Sequence, residues 1–336
     1  MKIELIPEGG SLYKVNLHCH TTISDGKQTP EEVKETYLAR GYSAVCYTDH
    51  EVLVDHRDLC DERFVALHGY EVAIKRDLDG HTAYFMPVYH LNMIAKSQDQ
   101  LTIPRYFKNN PSMAGNAVKL RDAMQYSSTI ETTVYDKAWV NDYVKAVSDE
   151  GFLVTYNHPQ WSLQSGADFI GLDALHAVET INGGCARVLN DNTSIHYEQM
   201  LRAGMRVVPV GGDDNHGSGD IGLGWTMIKA SELTYDALID SYEKGYCYAS
   251  EGPDFLSLVI EDGKIRVKTS PVFRIVLMSE GRYCAKAESE AGDLTEATFD
   301  YDPAHFGRYF RLELRDARGF RAFSAAYYPE ELCARN

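Results

Sequence analysis

The sequence predicts an α/β fold followed by a small all-β module, and three observations point to it. Between residues 13 and 250, short apolar strand-like runs alternate with amphipathic helical stretches. That alternation is the pattern of a parallel α/β arrangement. After Gly252-Pro253 the texture changes to strand-like runs with turn signals between them and no helices, which suggests a small antiparallel sandwich. Finally, His, Asp and Glu recur just past the ends of the apolar runs, where α/β barrels and open α/β sheets carry their chemistry.

The elements follow in order. Residues 13–90 read as β-α-β-β-β. Thr29-Pro30-Glu31-Glu32 opens the helix: Thr29 is an N-cap, Pro30 suits the first turn, and two acids face the positive end of the helix dipole. Val33, Tyr37 and Leu38 form its apolar stripe, and Arg40-Gly41 ends it. Residues 91–135 break the rhythm and read as a long loop-rich insertion, the kind of segment that often serves as a lid. Residues 139–150 form an amphipathic helix leading into a strand at 152–156. Strands at 175–181, 205–210 and 225–230 follow, with helices at 192–203 and 235–244. In the last part, 255–260, 273–278 and 309–315 read as strands, with turns at Asp262-Gly263 and Asp316-Ala317-Arg318-Gly319. No internal repeat or low-complexity segment interrupts the chain.

The run Val15-Asn16-Leu17-His18-Cys19-His20, followed by Ser24-Asp25-Gly26, is the most informative stretch. Residues i and i+2 of a strand share a face, so His18 and His20 can reach one point in space while Cys19 faces the other way. Imidazole and carboxylate are common partners on a metal ion. The theme returns in Tyr47-Thr48-Asp49-His50, in Tyr156-Asn157-His158-Pro159 and in Gly212-Asp213-Asp214-Asn215-His216. Glu71 and His81 sit in or beside further strand-like segments. Nine ligand-type residues result: His18, His20, Asp25, His50, Glu71, His81, His158, Asp214 and His216. One tetrahedral catalytic ion takes three or four protein ligands, so nine are too many for a single ion.

In this order and local context, these residues resemble the PHP (polymerase and histidinol phosphatase) superfamily of metal-dependent phosphoesterases. The resemblance spans roughly residues 13–250 and is nearer to stand-alone bacterial members than to the polymerase-fused domain. It implies a distorted (β/α)7 barrel over residues 1–252, with 91–135 as an insertion, and a C-terminal antiparallel β-sandwich-like domain over 253–336. It also implies two or three divalent ions: manganese, zinc or iron. One ion would be held by His18, His20, Glu71 and Asp214. A second would be held by Glu71, His81 and His158, with Glu71 bridging, and a third by Asp25, His50 and His216. Glu71, Asp214 and His216 would belong to the catalytic set. Two ions roughly 3.5 Å apart can share a water and present hydroxide at neutral pH, which suits phosphoryl transfer. Either Asp214 or a metal-bound water could then move a proton, a choice the sequence leaves open.

Composition narrows the function. The chain has 336 residues, 44% of them hydrophobic, enough for a barrel-sized domain plus a smaller one. With 33 Lys+Arg against 49 Asp+Glu the net charge is −16, which disfavours tracking along nucleic acid but not a small phosphorylated substrate at a metal site. The seven cysteines lack a Cys-x-x-Cys pair and read as reduced thiols. The start of the chain lacks a signal-peptide core and no segment approaches a membrane span, so a cytoplasmic location is expected.

The leading expectation is a hydrolase of a small phosphomonoester or nucleotide-like compound. A carboxyl- or carbamate-ester hydrolase on the same cluster is the alternative, and a basic phosphate-binding set would discriminate them. A non-catalytic binding protein or a nuclease ranks lower. Arg187 is the candidate phosphate ligand, and Trp161 a candidate pocket wall. Asp49 and Asp213 read as orienting or turn-capping groups, and His56, His68, His176 and His305 as structural.

Overall fold

The computed structural model describes residues 2–76, 82–189 and 194–334. Nineteen strands among these residues fall into three sheets. In chain order the strands are β1 (Lys2–Ile6), β2 (Ser11–Asn16), β3 (Ala44–Tyr47), β4 (Val65–Lys75), β5 (Val88–Ala95), β6 (Thr102–Ile103), β7 (Gln125–Tyr126), β8 (Phe152–Tyr156), β9 (Ala177–Asn182) and β10 (Val208–Gly212). They continue with β11 (Trp225–Ala230), β12 (Cys247–Ser250), β13 (Phe255–Glu261), β14 (Lys264–Val272), β15 (Arg274–Ser279), β16 (Cys284–Glu288), β17 (Leu294–Asp300), β18 (Phe310–Arg315) and β19 (Arg321–Ser324).

The fold is mixed α/β, built on a 13-stranded sheet of order β10-β9-β8-β5-β4-β3-β2-β11-β12-β19-β18-β15-β16. Strands β2, β3 and β4 run parallel, as do β8, β9 and β10. The alternation with helices is less regular than the sequence suggests. β5 is antiparallel to both its neighbours, with Glu71 opposite Asn92 in the β4–β5 register. A direct β4-to-β5 connection needs no crossover helix. Residues 91–95, read from sequence as the start of the insertion, are therefore the second half of β5, buried throughout. Beyond them the chain forms turns, the two-residue pair β6–β7 and a short helix.

Helices cover the sheet where their apolar stripes fit. The helix Pro30–Leu38 begins with a full capping box between Thr29 and Glu32 and buries Val33 and Tyr37. The helix Lys137–Asp149, capped by Asp136, buries Val140, Tyr143, Val144 and Val147. These pack with Phe152, Val154, Leu91 and Met93 in one core, each full burial contributing about 1.5–3 kcal/mol. The helix read over 192–203 spans Ile195–Arg202, and a further helix, Gly183–Leu189, follows β9 directly.

A second core lies between the far end of the large sheet and the four-stranded sheet β1-β13-β14-β17. Leu258, Ile265, Val267, Leu277, Leu312 and Leu314 fill it, joined by Leu5 and Ile6 from β1. The first strand of the chain thus packs with the last strands. Cys19, Cys46, Cys60, Cys185, Cys247 and Cys284 are free thiols. No helix among the described residues is long and apolar enough to cross a membrane.

Candidate metal centre

The carboxyl ends of β2, β8 and β10, and the segments just past them, meet at one place. Past β2, Cys19 bridges to Asn215 in parallel fashion. His20 donates its N–H to the Asn215 carbonyl, and Asp214 donates its N–H to the His18 carbonyl. Past β8, the chain turns at His158, and past β10 at Asp214. Both residues have left-handed backbones, with φ of 24° and 48°. Such conformations cost about 1–3 kcal/mol in a non-glycine residue and cluster at functional sites. Gly212 lets this meeting happen: a Cβ there would lie 2.8 Å from His18 Cβ and 3.0 Å from Glu179 Oε1.

Glu71, on β4, is the hub. Its side chain is 1% exposed, and it lies 3.1–3.4 Å from ring nitrogens of His18, His20, His50, His90 and His158. Asp214 Oδ1 sits 3.3 Å from His18 Nε2 and 3.1 Å from His20 Nε2, and these two nitrogens are 3.1 Å apart. Four donors each about 2.0–2.1 Å from one ion would lie about 3.3 Å from each other. Four overlapping groups have the spacing to hold an ion: His18, His20 and Asp214; Glu71, His90 and His158; His20, Asp25, His50 and His216; and His18, His158 and Glu179.

The outer bonds fit the same purpose. His18 Nδ1 meets Glu179 Oε1 at 2.8 Å, His158 Nδ1 meets Ser162 Oγ at 3.1 Å, and His216 Nδ1 meets the Asp214 carbonyl at 3.1 Å. A proton on Nδ1 leaves the Nε2 lone pair directed inward, as metal-ligating imidazoles need. His20 Nδ1 and His50 Nδ1 are buried without a hydrogen-bond partner. The donor set therefore fits divalent cations of the zinc, manganese or iron type.

Electrostatics agree. Burial works against the charge of Glu71, but His90, His18 and His158 overcome it and hold the carboxyl well below the usual range. Burial likewise opposes, and the surrounding imidazoles outweigh it, at Asp214 and Asp25, both of which are lowered. His50, pressed by burial and by His20, is lowered to about 3. The site is a nest of carboxylates held ionised beside neutral and protonated imidazoles. It opens to a cavity of about 330 Å³, lined in part by Asp25, His50, His90, Trp161, Asp214 and His216.

Eight of the nine sequence candidates converge here; His81 lies outside the described residues. The imidazole beside Glu71 and His158 is His90, which sequence reasoning missed. Its signal was faint. His90 opposes Ala73 in the β4–β5 register, two residues from Glu71 and on the same face, but no motif marks a histidine inside an apolar strand. Glu179 was missed too. It accepts from His18 Nδ1, from the backbone N–H of His158 and from Asn182 Nδ2. A lone acid in the run Val178-Glu179-Thr180 was the available clue.

Trp161 is at the wall, its ring 5.1 Å from that of His158 and 5.4 Å from that of His90. Arg187 lies at the rim, paired with Asp220 and bonded to the Gly219 carbonyl. Asp220 in turn accepts from the His216 backbone N–H. Asp49 and Asp213 face the chain itself, not the cluster.

No protein-family model matches the sequence, and no curated protein is similar to it by sequence. Solved structures resemble it at low identity. A two-domain protein of Bacteroides vulgatus containing a predicted PHP-like metal-dependent phosphoesterase shares 13% identity with a TM-score of 0.47, over 96% of this chain and 98% of that one. An amidohydrolase of Chromobacterium violaceum shares 17% identity with a TM-score of 0.38, over 61% and 88%. A lesion-specific endonuclease of Pyrococcus furiosus shares 11% identity with a TM-score of 0.42, over 70% and 56%.

Proposed function

We propose that this chain is a metal-dependent hydrolase of the PHP type that cleaves a small phosphate ester. The observation that carries the reading is the convergence of six imidazoles and the carboxylates of Asp25, Glu71, Asp214 and Glu179 beside one cavity, in donor groups sized for several ions. Divalent ions held there would supply Lewis acidity and a lowered pKa for bound water. The chain's own part is to fix those ions and to manage protons. Glu71 lies at the centre and can bridge two donor groups. Asp214 opens to the cavity, and it or a metal-bound water would move the proton. His216, at the mouth, is lowered by burial but pushed up to about 9 by the Asp25 and Asp214 carboxylates.

Several finer readings belong to the same proposal. The parallel bridge Cys19–Asn215 supports a distorted seven-stranded barrel closing between β2 and β10. Residues 1–252 form the hydrolase unit and 253–336 an appended β domain, except that β1 joins the sheet and core of the latter. The part of 91–135 that follows β5 acts as a lid. It already touches the rim: Asn116 donates to the carbonyls of Ser24 and Thr22. Gly115 (φ +54°) packs so closely that a Cβ would lie 1.5 Å from Ser24 O. Two or three ions of manganese, zinc or iron serve a cytoplasmic enzyme acting on a small metabolite, not on a nucleic acid polymer or a membrane.

A carboxyl- or carbamate-ester hydrolase is the second reading, and one observation favours it. Lys75 is the one lysine or arginine among the described residues lining the cluster cavity and its neighbour, and Arg187 is engaged by Asp220. Phosphate release from monoesters, nucleoside bisphosphates and cyclic diesters by manganese-loaded protein, with an aryl carboxyl ester alongside, separates the two. Chelator-sensitive phosphate release from one compound supports the first reading. Cleavage of the carboxyl ester alone replaces it with the second.

A further inference from the structure

The cluster cavity continues into a second one of about 620 Å³, and the two share Asp25, His50, His90 and Trp161. Three of the shared residues, Asp25, His50 and His90, are polar and of ligand type. The fourth, Trp161, joins the rest of the second cavity, which is mainly apolar, with Tyr84, Met86, Val88 and Leu163 on its walls. Its size falls within the range of small-molecule sites, about 300–1,000 Å³.

Three of these side chains are exposed to an unusual degree for their chemistry: Tyr84 at 89%, Leu163 at 51% and Trp161 at 43%. Single exposed apolar residues are ordinary, but several around one cavity mark a binding surface. The backbone holds them there. Residues 158–164 form a tight turn, with Ser162 N–H bonded to the His158 carbonyl, Leu163 N–H to the Gln160 carbonyl and Gln164 N–H to the Pro159 carbonyl. Within it Leu163 is left-handed at φ 58°, a strained state for a branched side chain. The same turn carries His158, so one short segment supplies both a cluster imidazole and the apolar wall. A flat occupant suits walls made of two aromatic rings.

We infer that the second cavity is the subsite for the organic part of the substrate, and that this part is a planar aromatic group on the alcohol side of the ester. The inference rests on the phosphoesterase reading, with the phosphoryl group at the cluster and the ring between Tyr84 on one wall and Trp161 and Leu163 on another. Hydrolysis adds water across the P–O bond, leaving inorganic phosphate at the cluster and the aromatic alcohol in the apolar cavity.

The test compares 2-phenylethyl phosphate with ethyl phosphate, whose leaving alcohols are similarly basic, so that a difference reports recognition and not intrinsic reactivity. Manganese-loaded wild-type protein should favour the phenylethyl ester by about 10- to 100-fold in kcat/KM. Trp161→Ala and Tyr84→Ala should each bring that ratio down to within about threefold of one. Tyr84 projects into solvent, so its variant reports the subsite even where Trp161→Ala disturbs His158. Calorimetric binding of 2-phenylethylphosphonate against ethylphosphonate gives a second readout without turnover, with the same preference expected. Turnover of both esters with a wild-type ratio near one, or equal phosphonate affinities, overturns this inference and leaves the phosphoesterase reading standing. No turnover of either ester, with phenylethylphosphonate still preferred, overturns the phosphoesterase reading and keeps the aromatic subsite.

Discussion

Asp49 and Asp213 are satisfied by the chain itself, whereas Glu71 and Asp214, at the same end of the sheet, are surrounded mainly by imidazoles. Asp49 accepts from the backbone and hydroxyl of Thr21 and from the backbone and hydroxyl of Ser24. Asp213 accepts from Tyr42 Oη and from the backbone N–H groups of Gly222, Leu223 and Gly224. Each therefore ties a loop to a strand end. Glu71 and Asp214 receive one amide each, from Asn157 and Asn182, and otherwise meet ring nitrogens. Adjacent residues, Asp213 and Asp214, thus do opposite work. A carboxylate saturated by fixed donors builds the frame, and one left facing lone pairs needs a cation.

The sharpest way to break the comparison is to remove one carboxylate of each kind. Asp214→Ala, and likewise His158→Ala, should lower kcat by on the order of 1,000-fold or more, because several groups around the reacting centre act as a unit. Metal content should fall as well, while circular dichroism and melting temperature of the metal-free protein stay near wild type. Near-native turnover with full metal content in either variant would remove these residues from the site. Asp213→Ala should do the reverse, acting on stability. It strands three backbone N–H groups and the Tyr42 hydroxyl, and we expect a loss of about 3 kcal/mol in urea unfolding. A change below about 0.5 kcal/mol would mean that water replaces the carboxylate there.

Much of this division was legible in the sequence because spacing encodes it. His18-x-His20 declares its shared face through the period of a strand, and Asp214-x-His216 and Asn157-His158 follow apolar runs that end in the open. The expectation that Asp49 and Asp213 orient or cap came from how often carboxylates beside a metal site serve its ligands from outside. What stayed hidden depends on pairing between distant strands. His90 reaches Glu71 only because β5 folds back antiparallel on β4, and that register is not written in the local pattern around Val88-Tyr89-His90-Leu91. Glu179 reaches His18 across 161 positions of sequence. The departure from strict strand–helix alternation has the same origin, since β5 looks locally like any apolar run. Likewise β1 joins the C-terminal strands through a pairing with β13 that only the fold reveals.

Histidines permit a gentler form of the comparison. His68 lies on the same strand as Glu71 but belongs to the frame: it is fully buried, and its Nε2 accepts the backbone N–H of His56. Burial, with His56 beside it, lowers its pKa to about 4. An unfolded histidine titrates near 6.5, so between pH 6.5 and 4 the unfolded chain binds the extra proton. The stabilisation from neutral His68 is therefore complete above about pH 6.5 and is lost as pH falls toward 4, by about 2–3 kcal/mol. His68→Gln keeps an acceptor and removes the titration. Unfolding free energies of the metal-free protein at pH 7 and pH 4.5 should differ less in this variant than in wild type. An unchanged difference would show that His68 is protonated in the folded protein.

Arg187 tests the boundary between frame and site with the smallest effect. Its guanidinium is about half exposed and paired with Asp220, and exposed pairs contribute about 0–1 kcal/mol. Read purely as frame, Arg187→Ala changes neither stability nor kinetics. Yet Asp220 lines the cluster cavity and accepts from His216 N–H, so the arginine stands one residue from the candidate ligands. If a phosphate ester is the substrate, its dianion competes with Asp220 for the guanidinium, and a charge-assisted bond forms that a carboxyl ester does not need. The expected result is a rise of about 5-fold in KM for phosphate esters with kcat little changed, the mark of binding shared by ground and transition states. Arg187→Lys should recover part of it, since a lysine keeps the charge and loses the fork. An unaltered KM in both variants assigns Arg187 to its ion pair alone, and leaves Lys75 as the cation to substitute next.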